Sequence, residues 1–81
     1  MNQQTIRECI LAKVQQRGLE KTICPSEVAR DVGGAGWREL MPVVREVGTL
    51  LAAEGQIVVT QRGQVVDPLS AKGAIRYRLA K

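Results

Sequence analysis

Residues 23–37 read ICPSEVARDVGGAGW. Three local structures compete for them: a phosphate-cradling loop, a cysteine site for metal or redox chemistry, and the first helix and turn of a helix-turn-helix. Pro25 decides the first half, because its missing N–H costs nothing at the first position of a helix. Glu27 then falls at the third helical position, where a carboxylate meets the positive helix end. Cys24 becomes the N-cap, a poor capper where serine or threonine would do better. Val28, Ala29 and Val32 form an inward stripe, and Gly33 is placed to take the left-handed turn that ends the helix. A phosphate loop carries its glycines after a strand and before a helix, with a lysine entering the phosphates. Here the glycines follow a helix and no lysine follows them. Cys24 also lacks a second cysteine two or three residues away, so no redox pair forms. The stretch reads as helix and turn.

Working outward, Ile6, Ile10 and Val14, with Cys9, recur at helical spacing while Arg7, Glu8, Lys13 and Gln15 take the other side. This predicts a helix from Thr5 to Gln16. Thr5 and Glu8 form a capping box at its start, residues 1–4 are expected to be a disordered tail, and Gly18 supplies the C-terminal stop. LEKTIC, at 19–24, is too short for a helix and reads as a brief extended piece at a sheet edge. WRELMPVVREVGTLLAAEG, at 37–55, is the longest helical pattern, with Trp37, Leu40, Met41, Val44, Val47 and Leu51 on its apolar face and Leu50 widening it. Pro42 leaves two forms open: a short turn over 37–41 before a helix that starts at the proline, or one helix kinked there. Gly48 costs a helix roughly 1 kcal/mol relative to alanine, and a close helix–helix crossing is the expected reason for it. The three helices are expected to pack around Ile10, Val14, Val28, Val32, Leu40, Val44, Val47 and Leu51.

After Gly55 the apolar period changes from that of a helix to that of a strand. QIVVTQ at 56–61 is β-branched, and AIRYRL at 74–79 alternates, with Ile75, Tyr77 and Leu79 on one face and Arg76 and Arg78 on the other. Gly63, Asp67-Pro68 and Gly73 mark turns between them, and Val65-Val66 can add a short strand inside that loop. The expected fold class is therefore α+β, mainly α. It has the order of a winged helix-turn-helix, with three helices followed by an antiparallel hairpin wing, residues 62–74 forming the wing loop and 1–81 a single domain.

The quoted helix, WRELMPVVREVGTLLAAEGQIVVTQRG and VDPLSAKGAIRYRL together resemble a family of small uncharacterised bacterial domains with a winged-helix fold. The resemblance runs from about Ile6 to Leu79, and its most specific parts are Trp-Arg-Glu-Leu-Met-Pro and Val-Asp-Pro. It implies the fold and no established biochemical function. Some relatives carry a transfer-RNA-modifying label, which implies at most a fragment or accessory of an RNA-modifying enzyme. A chain of 81 residues without histidine or a nucleotide loop leaves little room for such a catalytic site.

Composition narrows the chemistry further. Without histidine, Ser/His and Cys/His nucleophile systems are excluded. Cys9 and Cys24 alone do not complete a tetrahedral zinc site. The acids lie among arginines at polar helix positions, as on a solvated face. No catalytic residue, metal or cofactor is expected. No apolar run is long enough to span a membrane and the N-terminus lacks a signal-peptide pattern, so the cytoplasm is the expected location.

The net charge is +4, and its placement matters more than its size. Residues 1–54 hold seven basic and seven acidic side chains, whereas 55–81 hold Arg62, Lys72, Arg76, Arg78 and Lys81 against Asp67 alone. Clustered cations suit phosphate binding through counterion release; the same cations also protect a sheet edge. Arg38 and Arg45, seven residues apart on one helical stripe, are the candidates for reaching duplex DNA from helix 3, with Arg38 able to read a guanine edge. Glu39 and Glu46 line the neighbouring stripe and would repel phosphate. Trp37 and Tyr77 are expected in the core rather than stacked on bases. Two functions remain: weak, largely non-specific binding of duplex DNA through Arg38, Arg45, Arg62, Lys72, Arg76 and Arg78, or a protein-interaction module that docks a partner or forms a homodimer.

Overall fold

The computed structural model describes residues 3–80. Its elements run α1 (Gln3–Arg17), β1 (Thr22–Ile23), α2 (Pro25–Gly33), a 3₁₀ segment (Gly34–Leu40), α3 (Met41–Ala53), β2 (Ile57–Gln61), β3 (Gln64–Val65) and β4 (Arg76–Leu79). The architecture is α+β and mainly helical, with one small antiparallel sheet in the order β1-β4-β2-β3.

α1 extends beyond the expected start, so Thr5 lies inside the helix and does not cap it. Gln3 and Gln4 of the expected tail are helical, while Met1 and Asn2 lie outside the described residues. The first turn is tied down by side chains: Gln3 Nε2 donates to Glu46 Oε1 of α3 at 3.1 Å, and Gln4 Nε2 to Glu8 Oε2 at 3.0 Å. Gly18, at φ 88°, ends the helix and donates its N–H to Val14. LEKTIC does supply a short edge strand, with Ile23 paired to Tyr77 of β4. α2 begins as expected, with Cys24 extended at the N-cap and its N–H donated to Glu27 Oε2 at 2.9 Å.

Of the two forms open at Pro42, the chain takes the restart. Pro42 sits in the first turn of α3, where a missing N–H is tolerated, and the preceding residues coil more tightly as a 3₁₀ segment interrupted at Gly36. Arg38 therefore stands on a different element from Arg45, and the single stripe expected of them does not exist. Tighter winding turns each side chain further round the axis than an α-helix would.

The helices and one sheet face enclose Ile6, Ile10 and Val14 of α1, Val28 and Ala29 of α2, and Val44, Val47 and Leu51 of α3. Ile23, Ile57, Val59, Ile75 and Tyr77 close the core from the sheet. Val32 and Leu40, expected inside, are half-buried at its margin. Inside the expected 62–74 wing loop the chain forms the short strand allowed for at Val65-Val66, as β3 over Gln64–Val65. Arg62 and Gly63, at φ 54° and 79°, make a two-residue turn whose twist suits a hairpin. β3 then pairs back on β2 through Thr60–Val65 and Gln61–Gln64. The rest returns through Asp67, whose carbonyl accepts the N–H groups of Ser70 and Ala71. Gln61 Nε2 donates to the Lys72 and Ala74 carbonyls.

Gly48 corrects a further expectation. Its missing side chain makes room for a sheet residue rather than a helix: a Cβ there would collide with the ring and hydroxyl of Tyr77. Tyr77 is wholly buried, and its hydroxyl has no hydrogen-bond partner. Burial pushes the phenol up to about 12, against a small opposing pull from Arg45.

Two consequences can be measured on Tyr77→Phe. At neutral pH the variant should be more stable by about 1 kcal/mol in urea denaturation, because an unpaired buried hydroxyl is removed. The wild type has a folded-state phenol pKa above the unfolded value of 10.0. The neutral phenol's contribution is thus fully present below pH 10 and lost as the pH rises to about 12. The gap between the two proteins should widen over that window by on the order of 2 kcal/mol. A constant gap would mean that the phenol is not held neutral by burial.

Candidate functional site

Charge in the structure is sorted by pairing. Arg7 grips Glu54 through both guanidinium nitrogens, at 2.6 and 3.1 Å. Lys13 pairs with Asp31 at 2.5 Å and Arg17 with Glu27 at 2.6 Å. The side-chain hydrogen bond from Arg7 holds the Glu54 carboxyl below its usual range. Such surface pairs add little stability, but they neutralise the α1 cations. Among the described residues, Lys21, Arg30, Arg38, Arg45, Arg62, Lys72, Arg76 and Arg78 have no carboxylate partner.

The six candidate residues do not form one cluster. Arg45 reaches from α3 to the loop, donating to the Gly73 carbonyl at 3.3 Å, so it lies beside Lys72. Arg62 stands at the tip of the β2–β3 turn, exposed. Tyr77 packs inward under α3, and alternation along β4 therefore puts Arg76 and Arg78 on the sheet face away from that helix. Arg76 is not a free arm. Its Nε donates to Thr22 Oγ1 at 2.5 Å and another guanidinium nitrogen to Cys24 Sγ at 2.8 Å. Neither acceptor is a carboxylate, so its charge is fixed in place without an acidic partner. Arg78 is half-buried on the same face.

Arg38 belongs to a separate group. Its guanidinium carbon lies 4.6 Å from the centroid of the Trp37 ring, and that of Arg30, in the last turn of α2, lies 4.4 Å from the same ring. Trp37 is half-buried against the core margin rather than enclosed, a partial correction to its expected place. The chain reaches this point through a turn that also departs from expectation. Gly33 stays right-handed at φ −104°, and the left-handed residue is Gly34 at φ 57°. A Cβ at Gly33 would meet Leu40 Cδ1 at 2.5 Å, so the Leu40 side chain would have to shift. Gly36, at φ −92°, has nothing within 4 Å of an added Cβ.

An open apolar groove of about 370 Å³ runs between α3 and the β2–β3 hairpin, lined by residues such as Ala52, Val58, Val66 and Pro68. Val65 and Leu69 stand at it 67% and 82% exposed, which is unusual for large apolar side chains. Cys9 and Cys24 are free thiols, and burial pushes the Cys9 thiol up. Among the described residues, no three histidine, cysteine or acidic side chains gather to hold a metal, and no helix is long and apolar enough to cross a membrane.

A family model described as "Protein of unknown function (DUF3253)" matches residues 3–80, almost the whole chain. The chain belongs to that family. No curated protein matches it. In this DUF3253 chain, sequence reasoning missed Arg30, because only the turn through Gly34 folds the end of α2 back onto Trp37. The available signal was the run of glycines between two arginine-bearing segments.

The turn's glycines should separate by variant. Gly34 at φ 57° and ψ −130° is a backbone that side chains resist, so Gly34→Ala should cost about 1–3 kcal/mol. Gly36→Ala should change stability by about 0.5 kcal/mol or less. Urea midpoints for the two variants check this; equal losses would refute the placement of the left-handed residue.

Proposed function

We propose that this domain binds nucleic acid, as a winged helix-turn-helix on duplex DNA, weakly and with little sequence preference, through its basic C-terminal third. The observation that carries this reading is the partition of charge. The cations of α1 are taken up in ion pairs, whereas Arg62, Lys72, Arg76 and Arg78 meet no carboxylate. In this reading α2 and α3 are the two helices of the motif, the β2–β3 hairpin and its return loop are the wing, and the cytoplasm is the compartment. The Arg45 contact with Gly73 supports it by joining helix to wing. Base readout is poor. α3 has Glu46 beside Arg45 and no asparagine or glutamine for adenine. Affinity then comes from phosphates, which fix position without reading sequence.

A second reading, a protein-interaction module, is favoured by the groove with exposed Val65 and Leu69. It predicts partner binding or a dimer that survives high salt, with no affinity for DNA.

Fluorescence anisotropy of a labelled duplex across a salt series tests the first reading. Engaging about four phosphates gives a log–log slope near −3.6, at roughly −0.9 per contact, with dissociation constants of about 10⁻⁴ to 10⁻⁶ M at physiological salt. Replacing Arg76 and Arg78 together with glutamine should flatten the slope by about 2 and weaken all sequences alike. No binding at low salt, or an unchanged slope in the double variant, would turn the assignment to the interaction module.

A further inference from the structure

We infer that Arg30 and Arg38, stacked on Trp37 beside the bare Gly34–Gly36 turn, form a phosphate clamp that contacts the backbone of a bound nucleic acid separately from the wing. This rests on the nucleic-acid reading above and adds a second contact surface to it.

The geometry gives the reason. Both guanidinium carbons lie within 4.6 Å of one ring centroid, so two like charges share a single indole. A guanidinium over a ring uses its face, which leaves its N–H edge to take a phosphate or carboxylate. No carboxylate of the described residues takes that edge. Asp31 and Glu27, the acids on α2, are already held by Lys13 and Arg17. Glu39, exposed next to Arg38 in the chain, forms no ion pair with it and opposes a phosphate there. One arginine would be enough to cover the ring. A second placed beside it without an acid adds repulsion that an anionic partner would relieve.

The turn adds an independent observation. Gly34 is required by its backbone angle, and a side chain at Gly33 would press on Leu40. Neither constraint holds at Gly36. Gly34, Ala35 and Gly36 are exposed and leave the surface next to the two guanidinium groups almost without side chains. A phosphate backbone can approach such a surface closely. The partner chemistry is phosphate, because two guanidinium groups without an acidic partner meet at one ring and supply N–H donors for an anion.

Trp37 is the only tryptophan in the chain, so its emission reports on this site alone. Titrating the full chain with an unlabelled duplex should change Trp37 emission with the same midpoint that anisotropy gives for the labelled duplex. With the clamp engaged the wild-type slope should steepen from about −3.6 to about −5.4, and Arg30→Gln with Arg38→Gln should flatten it by about 1.8. Gly36→Glu, at a site with open space, should keep the fold and weaken binding by placing a carboxylate at the clamp. If the duplex binds and remains sensitive to Arg76 and Arg78, while Trp37 emission and the slope of the Arg30/Arg38 variant stay unchanged, the clamp is wrong and the nucleic-acid reading stands. If wild-type protein binds no duplex at low salt, both fall. Inorganic phosphate at equal phosphate concentration should leave Trp37 unaffected. An equal response would replace the polymer contact with a small-anion site.

Discussion

The ring of Tyr77 occupies the space where Gly48 would carry a side chain. This contact sets the distance between α3 and β4, and most of the remaining arrangement depends on it. Because α3 comes down on the sheet there, Val44, Val47 and Leu51 close over Ile57 and Val59. Arg45, one turn before Gly48, then falls beside the Gly73 carbonyl. The same contact has a cost. The phenol hydroxyl is buried without a partner, and burial holds it neutral up to about pH 12. The fold keeps close helix–sheet packing and leaves one polar atom unsatisfied.

Packing of this kind also explains why the cations are distributed as they are. With Ile75 and Tyr77 turned inward, Arg76 and Arg78 must face outward on β4, on the side away from α3. Arg76 then folds over Thr22 and Cys24 at the start of α2. The 3₁₀ segment sends Arg38 to meet Arg30 across Trp37. The uncompensated charge is thus spread over several places rather than one: the sheet face, the hairpin tip at Arg62, the loop beside Arg45, and the glycine turn. A duplex is long enough to meet more than one of them.

Helical and strand patterning located nearly every element, because the apolar stripes of Ile6–Ile10–Val14 and Val44–Val47–Leu51 and the alternation at Ile75–Tyr77–Leu79 are local statements about one face. Pro25 and Gly18 set boundaries by backbone chemistry that needs no neighbour. The candidate site was less legible. Its six cations were identifiable as residues, but their grouping was not, since pairing with acids depends on which helix faces cross. Arg7 meets Glu54 across the fold from far along the chain. Arg30 was not among the six.

The sequence by itself determined the α+β class, the order of helices and strands, the edge strand at Thr22–Ile23 and the concentration of net charge after Gly55. Each of these follows from short-range periodicity, backbone restriction or counting. Tertiary structure alone decided that Gly48 serves Tyr77 rather than another helix, and that α3 restarts at Met41. It also decided that Gly34 rather than Gly33 turns left-handed, and that Arg30 joins Arg38 on Trp37. These depend on distances between residues remote in sequence or on the winding of one turn against its neighbours. A linear pattern does not contain those quantities.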